Sequence, residues 1–234
     1  MRKLGLALAP LPLLAVGLAP SPAQAEVRHV TIGGVTVALR DHTRQVVTVD
    51  HTRGHHARIA FWVRRDARWH RVYAVRDGRI GYGGLVAPAQ RVQGSGTTPL
   101  GTTRLISSFG RHARGGDWDL PYRRIHRGDY WVEDNRSSHY NRYRNKAQGG
   151  FRWWLPPSHV DSSERLRDFP APYEFSVVTS YNYAAQVRHR GAGIFLHVNG
   201  RGATAGCVSA PRWFLKAMMW RLDPAQVPVM AVGR

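Results

Sequence analysis

The chain has one cysteine, Cys207, and it lies in the stretch FLHVNGRGATAGCVSAP, ten residues after His197. A thiolate is a strong nucleophile, and thiol catalysis needs a base within hydrogen-bond reach of the sulfur and N–H donors facing the charge that develops. No histidine follows Cys207. The base must therefore come from upstream, which excludes the papain-like order of an early cysteine and a later histidine. His197 is the candidate base and Cys207 the candidate nucleophile.

Both residues need elements to hold them. Residues 194–198 read as an apolar strand with His197 at its end, and the Gly-rich loop 199–206 returns the chain to Cys207. A helix is expected next: Ser209 fits the N-cap, Pro211 the first turn, and Phe214, Leu215, Met218 and Leu222 share one face before Asp223-Pro224 stops it. That reading places Cys207 two residues ahead of a helix N-terminus, whose partial positive charge favours a thiolate. Elsewhere the period is mostly two. Strands are expected at 30–39, 45–50, 58–63, 69–75, 102–106, 130–132, 173–179 and 227–232, with turns at 52–54 and at Asp77-Gly78. The fold class is mainly β, a sandwich or barrel with one C-terminal helix. Residues 107–170 form a long loop-rich insertion containing Trp118, Tyr122, Tyr140, Tyr143, Trp153 and Trp154, a place for a substrate cleft or a lid.

Residues 1–25 read as an export signal: Arg2 and Lys3, an apolar run from Leu4 to Leu18 broken by Pro10 and Pro12, and the small-residue site Ala23-Gln24-Ala25. The run is too short and too interrupted for a membrane span, so no transmembrane anchor is expected. The expectation is one exported domain, residues 26–234. A lone cysteine cannot form a bridge within such a chain. The formal net charge is +19, with 34 basic against 15 acidic residues, and it stays strongly positive without the signal. Polyanions such as anionic wall polymers are therefore the expected partners.

The segments also resemble a known family, the YkuD-type L,D-transpeptidases of peptidoglycan. Its hallmark is a strand-end histidine, a loop and a Ser/Thr-x-Gly-Cys turn followed by an apolar residue, which here reads His197 and Thr204-Ala205-Gly206-Cys207-Val208. A second family segment, Thr-Pro-x-Gly leading into a strand, is matched by Thr98, Pro99 and Gly101. The resemblance is strongest over 80–234. It implies an L,D-transpeptidase-like β-sandwich, Cys207 as nucleophile, His197 as base oriented by the Val198 carbonyl, and amides of Gly206 and Cys207 for the oxyanion. It also implies stem peptides of peptidoglycan as substrate, formation of 3-3 cross-links through a Cys207 thioester, and no metal or organic cofactor. L,D-carboxypeptidase action, with water as acceptor, shares the same thioester. The chain departs from the family pattern in a shorter loop between His197 and Cys207, in Ala205, and in Ser209, where arginine or asparagine is frequent. Arg201 or Arg212 would then replace the missing donor-holding group, with Thr204, Ser209 and Tyr181 as further substrate contacts. For Tyr181 a core or edge position is the better reading.

Two other clusters carry little. His51, His55 and His56 lie in a polar turn without the glutamate of a zinc peptidase motif. The stretch 137–146 interleaves aromatic and basic residues, but in an exported chain it reads as a wall-facing loop, and no nucleic acid is expected. A reading from a different class remains, a non-catalytic basic protein that binds the cell wall.

Overall fold

Period-two patterning and one turn of two adjacent glycines begin the architecture. The computed structural model describes residues 27–116 and 118–234; the export-signal expectation lies outside the described residues. Strands β1 (Arg28–Ile32) and β2 (Val35–Leu39) form a hairpin. The sequence reading made residues 30–39 one strand, but Gly33 and Gly34 take φ of 56° and 87° and turn the chain, a conformation glycine adopts at little cost. Long antiparallel strands follow: β3 (Gln45–Arg53), β4 (His56–Arg65) and β5 (Arg68–Arg79). The turn expected at Asp77-Gly78 is instead the end of β5, where the β4–β5 register shifts near Ala57. A Cβ on Gly78 would stand 2.5 Å from the Ile59 side chain, so glycine there permits close packing and not a turn.

Short β6 (Leu85–Val86) and β7 (Thr98–Pro99) pair in parallel, and β8 (Gly101–Gly110) runs on from them. Fragments of strand then appear in the insertion: β9 (Tyr122–Arg124), β10 (Asp129–Trp131), β11 (Tyr143–Asn145) and β12 (Glu164–Arg165), the last three forming a small sheet around β10. The chain returns to the main sheet through β13 (Phe175–Thr179), β14 (Phe195–Val198), β15 (Val208–Ala210) and, after helix α1 (Arg212–Met219), β16 (Val229–Gly233). The main sheet has the order β13-β14-β15-β5-β4-β3-β16-β8-β9, and a further β13–β8 pairing closes it on itself. Among the described residues the mainly β class with a single α-helix after the cysteine turn is thus the observed one.

Alternation divides the core. Leu196, Val198, Val208 and Ala210 join Val47, Val49, Ile59 and Phe61 against Phe214, Leu215 and Met218 of α1. The opposite face of β14 sends Phe195, together with Cys207, into a second cluster with Phe109, Trp131 and Tyr173.

The helix starts later than the sequence reading placed it. Ser209 is not its cap: Pro211 is, with φ −53° and ψ 145°, and α1 ends at Met219 before Asp223-Pro224. The cause is that Val208 to Ala210 pair in parallel with Leu196 to Val198. Proline then holds its predecessor in extended backbone. A strand therefore separates Cys207 from the helix N-terminus.

Candidate active site

The parallel register Leu196↔Val208 and His197↔Ser209 sets the geometry. Carried one residue back it puts Cys207 beside Phe195, on the same face as His197 and diagonal to it. The turn is held from a distant segment. Thr98, fully buried, donates its hydroxyl to the Gly206 carbonyl at 2.8 Å and accepts the Gly81 N–H at 2.8 Å. Thr204 donates to the Cys207 carbonyl at 2.6 Å and accepts the Gly206 N–H at 3.2 Å. The Thr-Pro-x-Gly segment and the cysteine turn, about a hundred residues apart, thus meet at one hydroxyl. Gly206 takes φ 129°, and a Cβ on it would stand 2.8 Å from Arg91 Nη2. Only glycine fits without displacement.

The thiol of Cys207 donates to the Gly193 carbonyl at 3.1 Å, and the Phe195 N–H donates to the sulfur at 3.4 Å. Burial pushes the thiol well above its ordinary range, and the nearby Glu164 carboxylate adds to this; the Phe195 N–H and Arg91 act in the other direction. The resting sulfur is protonated.

His197 bonds the Val198 carbonyl through Nδ1 at 2.8 Å. A proton on Nδ1 satisfies that carbonyl and leaves the Nε2 lone pair free. Burial lowers the imidazole pKa from 6.5 to about 4, against the opposing pull of that carbonyl. The ring is neutral at pH 7. Tyr173 stands edge-on to it with centroids 5.5 Å apart and donates its hydroxyl to Glu164 Oε1 at 2.5 Å. No hydrogen bond joins the Cys207 sulfur to the imidazole among the described residues, so the sulfur must rotate away from Gly193 to reach Nε2.

Both side chains open on a cavity of about 650 Å³, whose walls also include Tyr82, Arg91, Glu133, Trp153, Glu164, Phe169, Tyr173 and Thr204. Size and mixed lining suit a peptide-sized ligand. The insertion forms much of the outer wall. Arg152 pins it, pairing with Asp134 at 2.5 Å and Asp161 at 2.7 Å, and that guanidinium holds the Asp134 carboxyl near 2.

Of the residues read from sequence, the structure brings together Cys207, His197, Val198, Gly206 and Thr204. The remaining four stand off the cavity. Ser209 is fully buried and donates to Asn199 Oδ1 at 2.7 Å, because its strand packs it beneath the loop. Arg212 is drawn away by Glu174, at 2.6 Å and 2.5 Å. Arg201 points to solvent from the loop. Tyr181 is a core residue, its hydroxyl donating to the Arg190 carbonyl at 3.0 Å. The Gly206 amide, read as an oxyanion donor, is engaged by Thr204 at rest.

Sequence reasoning missed Arg91, Glu133, Glu164 and Tyr173. Arg91 is 5% exposed; it donates to the carbonyls of Thr97 at 2.8 Å and Arg190 at 2.9 Å, and its guanidinium lies 5.6 Å from the Tyr181 ring centroid. It stands in the cavity wall where Arg201 and Arg212 were expected. Its place in AQRVQGSGTTPLG, just before the Thr98 segment, was the signal available.

Comparison with known proteins gives the family of the chain. The family model described as the L,D-transpeptidase catalytic domain, YkuD, matches residues 44–229. No functionally curated protein matches the chain. Among solved structures, two of the helical cell shape determining protein Pgp2 from Campylobacter jejuni, one a point mutant, are similar at 11% identity and TM-score 0.43, covering 83% and 82% of this chain and 48% of theirs. The chain spans about half the length of those Pgp2 chains.

Proposed function

The chain belongs to the YkuD family of L,D-transpeptidase catalytic domains, and from that membership and the cavity we propose that it transfers acyl groups of peptidoglycan stem peptides through a Cys207 thioester. The observation that carries the reading is the pairing, at one cavity, of the chain's single thiol with a neutral imidazole whose Nδ1 is tied to Val198 and whose Nε2 is free. The thiol leaves the Gly193 carbonyl and gives its proton to His197 Nε2. The thiolate attacks the carbonyl before the terminal residue of the donor stem, and backbone N–H groups of the cysteine turn hold the oxyanion once Gly206 exchanges Thr204 for it. The C–N bond then breaks as His197 protonates the leaving amine. A side-chain amine of a neighbouring stem next attacks the thioester, forms a 3-3 cross-link and frees Cys207. Water in place of the amine gives L,D-carboxypeptidase action. Residues 26–234 act as one catalytic domain outside the cytoplasm after loss of the signal, and the basic surface favours association with anionic wall polymers. Among the described residues no helix is long and apolar enough to cross a membrane.

Incubation of the chain with a stem tetrapeptide, with product masses read over time, tests the proposal. Loss of the terminal residue with dimer formation, absent in Cys207→Ala, is expected. One observation favours a second reading, a non-catalytic wall-binding protein: the thiol rests protonated, capped by Gly193 and apart from His197. Salt-sensitive wall binding without any turnover would establish that reading instead.

A further inference from the structure

The cavity runs against the charge of the chain. Basic residues outnumber acidic ones 34 to 15, yet Glu133 and Glu164 both line the space in front of Cys207. Among the described residues neither is within ion-pair distance of an arginine, lysine or histidine. The two bracket the reacting pair. A Cβ on Gly193 would stand 3.2 Å from Glu133 Oε1, and the carbonyl of that same Gly193 caps the Cys207 sulfur. Glu164 reaches the other partner through Tyr173, whose ring stands against His197. The same cavity holds a further acceptor: His197 is 7% exposed, and its Nε2 has no hydrogen-bond partner among the described residues. Two half-buried carboxylates and a free ring nitrogen are all proton or cation acceptors. They leave unmatched a group that carries positive charge and N–H donors.

We propose that Glu133 and Glu164 form the subsite for the ammonium group of the acyl acceptor, the side-chain amine of a diamino acid. The inference rests on the thioester reading of Cys207. Burial raises both carboxyls above the ordinary range, with Glu164 adding to the rise at Glu133 and Arg91 opposing it; a bound ammonium supplies the neutralising charge in place of protonation. The alkylammonium gives one proton to the carboxylate pair and so becomes a nucleophile. Its lone pair forms the C–N bond to the thioester carbonyl, the C–S bond breaks, and the second nitrogen proton passes to His197 Nε2 and on to the departing Cys207 thiolate. The proton on the carboxylates leaves to solvent. Water needs no such charge, so the pair favours cross-linking over hydrolysis.

The experiment measures how the Cys207 thioester divides between acceptors in the full chain and in Glu133→Gln, Glu164→Gln and the double variant. One acceptor is a stem tetrapeptide with a free diamino-acid amine; the other is hydroxylamine, which is uncharged at neutral pH. Loss of a charged hydrogen bond corresponds to about tenfold or more in amide product, and each variant is expected to lower the ratio of amide to hydroxamate product by that factor, whatever its rate of thioester formation. Glutamine retains the shape of both side chains, and continued hydroxamate formation shows that the variants are folded. An unchanged division between amide and hydrolysed product overturns the subsite and leaves the thioester standing. A parallel fall with both acceptors also overturns it, since that marks a structural role. Absence of any thioester in the wild-type chain overturns the reading beneath it as well.

Discussion

Acidification tests whether His197 is held neutral in the interior. The imidazole pKa falls from 6.5 to about 4 on folding. The unfolded chain therefore binds a proton below 6.5 that the folded chain refuses until about 4, so the stability involved is fully present above pH 6.5 and is lost as pH falls through this window. A shift of this size corresponds to about 3 kcal/mol in full, of which about 2 kcal/mol is lost between pH 7 and pH 5. Glu133 and Glu164 act with the opposite sign: their raised pKa values give stability that is greatest in acid and is lost as pH rises. The wild-type curve alone sums these effects. His197→Asn keeps an N–H for the Val198 carbonyl and removes the titration, so the difference between the two proteins isolates the histidine. Urea unfolding followed by the fluorescence of the eight tryptophans at pH 7, 6 and 5 supplies both curves. Wild type should lose about 2 kcal/mol more than His197→Asn over that range. Parallel curves would refute the buried neutral imidazole and, with it, the assignment of His197 as a ready base.

Further outcomes follow from the same contacts. Alkylation of Cys207 by iodoacetamide in the free protein should be slow at pH 7 and rise only in alkali, because the thiol is buried and capped; stopped-flow or mass kinetics across pH check this, and fast reaction below pH 7 would contradict it. Gly206→Ala puts a Cβ 2.9 Å from the Thr97 carbonyl at φ 129°, and should cost about 1–3 kcal/mol and abolish turnover, as read by thermal unfolding and product assay. Arg152→Gln leaves Asp134, whose side chain is 2% exposed, without its partner; a lower melting temperature is expected, with earlier hydrogen exchange in the insertion than in the main sheet.

The cysteine turn was legible in the sequence because its requirements are local. A glycine before Cys207, a threonine two residues earlier and a histidine at a strand end are fixed by backbone geometry over a dozen residues. The β class was equally plain from period-two runs such as residues 45–50 and 58–63. Less local features were not. Ser209 looks like an N-cap until its strand pairs with β14, a contact that periodicity does not announce. Arg91, Glu133 and Glu164 enter the cavity from three separate segments, and in a chain rich in charge nothing marks them until the fold juxtaposes them. Arg212 stands off the cavity because Glu174, distant in sequence, holds it.

The most direct test of the central claim is the intact mass of the chain after brief exposure to a stem tetrapeptide, with Cys207→Ala and His197→Asn alongside. The predicted result is a mass gain equal to the donor less the free amino acid it releases, located on Cys207, absent without the thiol and strongly slowed without the imidazole. An unmodified Cys207 after prolonged exposure, in a protein that still binds the cell wall, would contradict it.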